Sequence, residues 1–329
     1  MADVLALGEA MVRLTPPDSL RLEQTVTLNV DVGGAELNVL VGLSRLGVGT
    51  AWLSKLPDNA LGHLIASRAR AAGVDTSPVR WTAEGRAGLY FLELSAAPRP
   101  SQILYDRRNS AMTTLTPEEI DPAAFAGARL FHVSGITPAL SPSCLDATLA
   151  ALTVARNAGC AVSFDPNYRA RLWTVEEARA AYARILPGVD ILFASREALR
   201  AFFDVEAASE EEAALAAADR YNLRAVALTA REQARAWHGT LGALAVAGGR
   251  VYRGRDYEVE IVDRLGGGDA FAAGFLYGYL AGDVERGVAY GGAMAALQHT
   301  IPGDFPFVTR AEVEDLLAAE GDTAMRLRR

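Results

Sequence analysis

The chain has 329 residues, half of them apolar and 22% charged, which is material for a sizeable core and excludes a long disordered protein. Its 32 basic and 40 acidic residues leave a formal charge of −8, which argues against nucleic acid as a partner, because a phosphate backbone needs a basic surface. No apolar run approaches the roughly 18 residues that span a bilayer. The start, Met1 to Ala10, lacks the basic and apolar regions of a secretory signal, so the expectation is a cytoplasmic protein with no membrane partner.

Val4 to Leu7 is a short apolar run ending in Gly8-Glu9 and reads as a buried first strand. Residues 13–32 hold a Thr-Pro-Pro-Asp turn and then alternating apolar positions, a loop with one or two half-exposed strands. After Gly33-Gly34, Ala35 to Leu46 carries helical spacing and stops at Gly47. Thr50 to Leu53 reads as a strand and Asp58 to Ala72 as a helix. Gly88 to Leu94 and Gln102 to Arg107 form an expected antiparallel pair. From there strands and helices alternate: strands at 130–133, 161–164, 191–194 and 225–228, with helices at 143–158, 176–186 and 210–221. A hairpin (243–246 with 250–255) precedes helices at 269–280, 284–298 and 310–320. The alternation predicts an α/β fold with a mostly parallel, doubly wound sheet and helices on both faces. The strands at about 13–32 and 88–107 do not fit it and form an expected small β-sheet lid within a single domain spanning 1–329. Exposed lid strands offer an edge for a homo-oligomer.

The cysteines, Cys144 and Cys160, cannot make a disulfide framework, and His63, His132, His238 and His299 show no metal-ligand spacing. Lys55 is the only lysine, so anion chemistry falls to arginines and backbone amides. The sharpest feature is Gly266-Gly267-Gly268-Asp269 opening a helix with small residues at Ala272, Ala273 and Gly274. Glycines let successive N–H groups converge, and a helix N-terminus adds positive potential, a combination suited to phosphate. The segment is neither a lysine-bearing P-loop nor a G-x-G-x-x-G dinucleotide loop. Asp269 reads either as a helix-capping acid or as a base beside a phosphate cradle.

This segment resembles the G-A-G-D signature of the PfkB, ribokinase-like carbohydrate kinases. Gly33-Gly34-Ala35-Glu36-Leu37-Asn38 running to Leu46-Gly47 resembles the family's second signature, in the expected order. The resemblance implies a ribokinase-like fold and ATP-dependent phosphorylation of a sugar hydroxyl. It implies Asp269 as the base, the amides of Gly266, Gly267 and Gly268 as the anion hole, and a need for Mg²⁺. Phe164-Asp165-Pro166-Asn167-Tyr168-Arg169 with Leu172-Trp173, Tyr105-Asp106-Arg107, His132 to Ile136 and Ile301 to Phe305 look like segments of 2-keto-3-deoxygluconate kinases and related fructokinases.

The expected sugar ligands are Gly34, Asn38, Tyr90, Tyr105, Arg107, Arg169 and Asp304. Arg107 is the partner for a sugar-acid carboxylate, because its planar fork binds two oxygens. Nucleotide ligands are expected among Asn167, Arg169, Ser195, Thr229, Arg231, Gly266 and Gly268. From residue type alone, Arg107 and Arg108 also fit solvated strand charges, Tyr90 and Tyr105 lid packing, and Asp304 a turn. The motif context leaves Arg108 on the surface. His132 and His299 read as packed residues. Two departures stand out. The family's N-x-x-E segment is Ser195-Arg196-Glu197-Ala198, which leaves the metal ligands unknown, and Thr229-Ala230-Arg231-Glu232-Gln233 lacks the usual nucleotide-loop glycines. The reading is a 2-keto-3-deoxygluconate kinase using ATP and Mg²⁺. Its rivals are a fructokinase of the same fold, a sugar- or nucleotide-binding protein without turnover, and, more remotely, a nicotinamide dehydrogenase.

Overall fold

The structure is a computed structural model that describes residues 2–319 apart from Ala97 and Ala236, without side-chain detail for residues 230–235. In chain order the strands and helices are β1 (Val4–Leu7), β2 (Met11–Thr15), β3 (Asn29–Gly33), α1 (Ala35–Arg45), β4 (Thr50–Leu53), β5 (Lys55–Pro57) and α2 (Ala60–Ala71). Next come β6 (Arg80–Thr82), β7 (Leu89–Glu93), β8 (Gln102–Asp106), β9 (Leu130–Ser134), α3 (Ile136–Ala139), α4 (Pro142–Asn157), β10 (Ala161–Asp165), α5 (Val175–Ile185), β11 (Ile191–Phe193) and α6 (Arg196–Phe203). The remainder is α7 (Glu210–Arg220), β12 (Ala225–Arg235), β13 (His238–Ala247), β14 (Arg250–Arg253), β15 (Tyr257–Glu260), α8 (Gly267–Leu280), α9 (Val284–His299) and α10 (Arg310–Ala318).

The main sheet runs β14-β13-β12-β11-β10-β9-β1-β4, with β15 paired to β13. From β4 to β12 every pairing is parallel, and the hairpin strands close one edge antiparallel. Parallel strands covered on both faces read as unbroken apolar runs, and β1 shows why. Val4 and Ala6 join the core beneath α1, α8 and α9, whereas Leu5 and Leu7 join the core beneath α4, α5 and α7. The chain leaves β1 toward β4 on one side and β9 toward β10 on the other. The carboxyl ends of β1 and β9 therefore flank a topological switch point, where open α/β sheets hold their ligands.

The small sheet, β3-β2-β7-β8, stands apart from this layer; β2 and β7 run parallel and the other pairs antiparallel. Only Gly8-Glu9-Ala10 separates its strand β2 from β1 of the main sheet. On its outer face Val30, Leu14, Phe91 and Leu104 stand in one cross-strand row, with Val30 and Leu104 exposed. Among the described residues no helix is long and apolar enough to cross a membrane.

Several elements lay outside the sequence reading. The β5–β6 pair, α6 and β15 are short, and β12 continues well past Leu228. Arg13, expected on a half-exposed strand, is buried at 2% exposure. The predicted end of the last helix, Glu320, lies outside the described residues.

Helices α8 and α9 cross at glycines. A side chain on Gly274 would meet the backbone of Tyr290 and Gly291 at 2.6 Å, and one on Gly278 would run into the backbone of Gly287. Gly42 on α1 faces Ala273 in the same way. This close approach seats the start of α8 against the sheet. Gly278→Val is expected to lower unfolding free energy by about 1–3 kcal/mol through overpacking. Gly268→Ala, where nothing lies within 4 Å, is expected to hold or raise it, both read by urea denaturation.

Candidate active site

A cavity of about 300 Å³ opens at the switch point. Its floor is the start of α8 and the Leu265–Gly268 turn, its walls are Asn38 of α1 and Asp165, Asn167 and Arg169 at the end of β10, and its roof is Met11, Tyr90, Tyr105 and Arg107 of the small sheet.

Gly266 is the N-cap of α8 and takes φ +77°, a left-handed conformation open to glycine. No side chain caps this helix, so its first turn brings amides without a side-chain acceptor to the cavity floor, an arrangement suited to an anion. A side chain on Gly267 would strike the His299 ring, whereas Gly268 borders open space. Gly266 and Gly268 line the cavity; Gly267 is buried behind them.

Asp269 lies half-buried in the first turn, and its Oδ2 accepts Nδ2 of Asn38 at 2.7 Å. The Asn38 Oδ1 accepts the Gly34 N–H at 3.3 Å, which fixes the amide orientation. Asn38 thus ties Asp269 to the Gly34 turn and still lines the cavity with one Nδ2 hydrogen to spare. Burial pushes Asp269 up to about 7; the Asn38 hydrogen bond and Arg169 pull it down, and Asp165 and Asp304 push it further up. A general base works best with a pKa near the operating pH.

Asp165 is raised to about 6, again chiefly by burial, and accepts the Asn167 N–H at 2.9 Å. That short loop forces Asn167 to φ +37°, which asparagine tolerates. It also aims Arg169 at the cavity, with Nη1 held by the carbonyls of Asn167 and Tyr168 at 3.2 and 3.1 Å. Behind the wall, fully buried Glu36 braces α1 against β9. Its Oε1 accepts the Ser134 N–H at 3.0 Å and the Ser134 and Thr137 hydroxyls at 2.8 Å each, and burial raises its pKa.

In the roof, Arg107 donates through Nη2 to buried Glu9, which also accepts the Ser110 hydroxyl. The Arg107 Nε is buried with no partner, so the guanidinium keeps a donor in reserve. The Tyr90 hydroxyl and the Asp304 Oδ2 both crowd the space a side chain on Gly33 would need. Burial, then the Asp304 charge, pushes the Tyr90 phenol well above its ordinary range.

The cavity therefore gathers Gly34, Asn38, Tyr90, Tyr105, Arg107, Asn167, Arg169, Gly266, Gly268, Asp269 and Asp304. Ser195 and Thr229 lie outside its lining, and the Arg231 side chain lies outside the described residues.

A model of the pfkB family of carbohydrate kinases matches residues 1–305. The chain belongs to the pfkB family of carbohydrate kinases. This pfkB kinase is 41% identical over 317 residues to a 2-dehydro-3-deoxygalactonokinase of Haloferax volcanii, covering 96% of each chain. It is 32% identical over 326 residues to a 5-dehydro-2-deoxygluconokinase of Bacillus licheniformis, covering 97% of this chain and 96% of the other. The crystal structure of a 2-dehydro-3-deoxygluconokinase from Thermotoga maritima superposes with a TM-score of 0.93 at 37% identity, over 96% of this chain and 98% of that one. The ribokinase-like fold is thereby shown, and the protein is a phosphotransferase acting on a sugar hydroxyl with ATP as co-substrate.

Sequence reasoning named no role for Glu9, Met11, Gly33, Ile136, Asp165, Arg264 or Leu265, which also line the cavity of this pfkB kinase. Glu9 and Asp165 carried a usable signal, since each stands at the carboxyl end of a buried parallel strand. His132 is a core residue: its ring is 1% exposed, Nδ1 lies 2.9 Å from the Ser163 hydroxyl, and burial lowers it to about 3.

The Ser195–Ala198 segment does not fit a metal site. Ser195 caps α6 by accepting the Ala198 N–H at 3.2 Å, and Glu197 faces a separate surface hollow with Arg196 and Arg200. Among the described residues no group of three His, Cys, Asp or Glu side chains could hold a metal ion. No catalytic step is therefore routed through a protein-bound ion.

An Asp269 that serves as general base must be in its charged form. The kcat/KM for the sugar is expected to rise about tenfold per pH unit below about 7 and to level off above. Asn38→Leu removes a hydrogen bond that favours the charged form, so the midpoint should move to higher pH. An unchanged midpoint in that variant contradicts the assignment.

Proposed function

We propose that the protein transfers the γ-phosphoryl group of ATP to the terminal hydroxyl of 2-keto-3-deoxygluconate, giving the 6-phosphate. The observation that carries this reading is the convergence of a carboxylate tuned near neutrality, uncapped helix amides and two arginines on one small cavity. In this scheme Asp269 accepts the hydroxyl proton as the sugar oxygen bonds to the γ-phosphorus. The bond to the leaving ADP oxygen breaks in line, and the Gly266–Gly268 amides hold the charge spread over the transferring group. ATP would enter as its magnesium complex, the ion being held mainly by the phosphates.

Arg107 supports a sugar acid over a neutral sugar. Glu9 neutralises it along one edge, while its buried free Nε needs an acceptor. Arg169 bonds only to backbone carbonyls among the described residues, so its charge is also available to an anion. The names of the relatives point to keto-deoxy sugar acids of more than one configuration, so the galactonate epimer belongs in the same test.

An ADP-release assay with MgATP should show strong preference for the keto-deoxy acids over fructose. Asp269→Asn is expected to reduce kcat by about 10²–10⁴-fold. Arg107→Ala should raise KM for the acid by about 10–100-fold, the worth of a charged hydrogen bond, with little effect on any fructose turnover. Equal loss on both sugars would discard the carboxylate argument; preference for fructose, with Arg107→Ala barely changing its affinity, would favour a fructokinase.

We further propose that the small sheet pairs with a second copy through the Val30–Leu14–Phe91–Leu104 row, one patch serving both partners. Light scattering after size exclusion should show a dimer, reduced to monomer by Leu104→Glu. A monomeric wild-type protein overturns this.

A further inference from the structure

Arg13 lies at the centre of the small sheet, paired in register with Asp31 on β3 and Tyr90 on β7. Its side chain is 3% exposed and every arm of the guanidinium is used. Nε donates to the Thr15 hydroxyl at 3.0 Å, Nη1 to Asp304 Oδ1 at 2.6 Å and Nη2 to Asp263 Oδ2 at 2.5 Å. The two acids lie 291 and 250 residues away in sequence. Burial opposes the Arg13 charge, but Asp304 and Asp263 outweigh it and hold the group protonated far above any working pH.

Each acid belongs to a loop that shapes the cavity. Asp263 Oδ1 accepts the Leu265 N–H at 3.1 Å, just before the Gly266 turn, and its Oδ2 accepts the Gly303 N–H, also at 3.1 Å. Gln298 ties the same two loops through the Gly303 and Leu265 carbonyls, at 2.8 and 3.4 Å. Asp304 spends Oδ1 on Arg13 and turns Oδ2 toward Tyr90 and Gly33. Arg13 therefore joins a roof strand to both the Gly266 loop and the Asp304 loop.

We propose that Arg13 is a positioning residue for phosphoryl transfer: it seats the small sheet on the Asp263 and Asp304 loops and fixes the direction in which the Asp304 carboxyl meets a sugar hydroxyl. It touches neither substrate. This inference rests on the kinase reading above, but not on which sugar is preferred, because a hydroxyl acceptor serves acids and neutral sugars alike. A carboxylate with one oxygen fixed by a cation presents the other in a single direction, and displacement of such a group by about 1 Å costs on the order of 10²-fold in rate.

The test compares wild type with Arg13→Met, Arg13→Lys, Asp304→Asn and the Arg13→Met/Asp304→Asn double variant, using whichever sugar wild type phosphorylates best. Arg13→Met is expected to lower kcat/KM for the sugar by about 100-fold while KM for ATP changes less than about twofold. Arg13→Lys should recover only part of the loss, since an ammonium cannot span both acids. The double variant should lose about tenfold less than the product of the single losses, the mark of a coupled pair. Amide hydrogen exchange, which needs no turnover, should quicken in Arg13→Met at Leu265 and Gly303 and not across the main sheet. Multiplicative losses, equal changes in both KM values, or faster exchange spread over the whole chain would overturn the proposal. If wild type phosphorylates no sugar, the kinase reading fails by itself, and the exchange result still decides whether Arg13 holds the loops.

Discussion

Asp269 begins a helix whose first amides have no side-chain cap, and much of the surrounding structure follows from keeping that carboxyl largely out of bulk water without losing it to protonation. Burial is the largest force favouring its neutral form. Asn38 and Arg169 favour the charged form, Asp165 and Asp304 oppose it, and the balance falls near neutrality. The neighbours are themselves held by specific devices: Asn38 by the Gly34 amide, Asp165 by the Asn167 turn, Asp304 by Arg13. A shift in Asp165 or Asp304 is felt at Asp269 through charge, and a shift in Asn38 through contact.

The platform beneath is built from small residues. Gly274 and Gly278 on α8 let α9 approach backbone to backbone, and Gly42 lets α1 close on the Ala273 methyl. Three helices thus converge on one point of the sheet and fix the N-terminus of α8 with little freedom. Rigid elements hold the reacting groups, while Gly8-Glu9-Ala10 carries the chain into the sheet that closes over them.

The alternation of apolar runs and helical spacing was legible because parallel strands are buried on both faces and amphipathic helices on one, and each leaves its own period. The glycine-rich turn with Asp269 was equally plain, since few other roles call for three glycines before a helix. What escaped was of two kinds. Short elements such as β5, β6 and β15 are too brief to show a period. The Arg13–Asp263–Asp304 cluster joins residues some 250 or more apart, and nothing in a local window separates a buried arginine on a strand from a solvated one. Asn38 was visible as a site residue, but its commitment to Asp269 is a matter of which end of an amide faces which neighbour. The Ser195 segment was seen to be unusual; that its hydroxyl caps a helix became clear only with the fold.

At the cavity floor the donors proposed for phosphate are main-chain amides, with Arg169 the nearby side-chain cation on the wall. Those amides depend on backbone shape: Gly266 and Gly267 leave no room for a side chain, and only Gly268 borders open space. The roof is the opposite case, because Tyr90, Tyr105 and Arg107 contribute through side chains on a separate sheet. Exchanging those residues would redraw the outline of the accepted sugar and leave the transfer chemistry where it is. In a protein divided in this way the choice of sugar and the capacity to transfer phosphate are inherited on different parts of the chain.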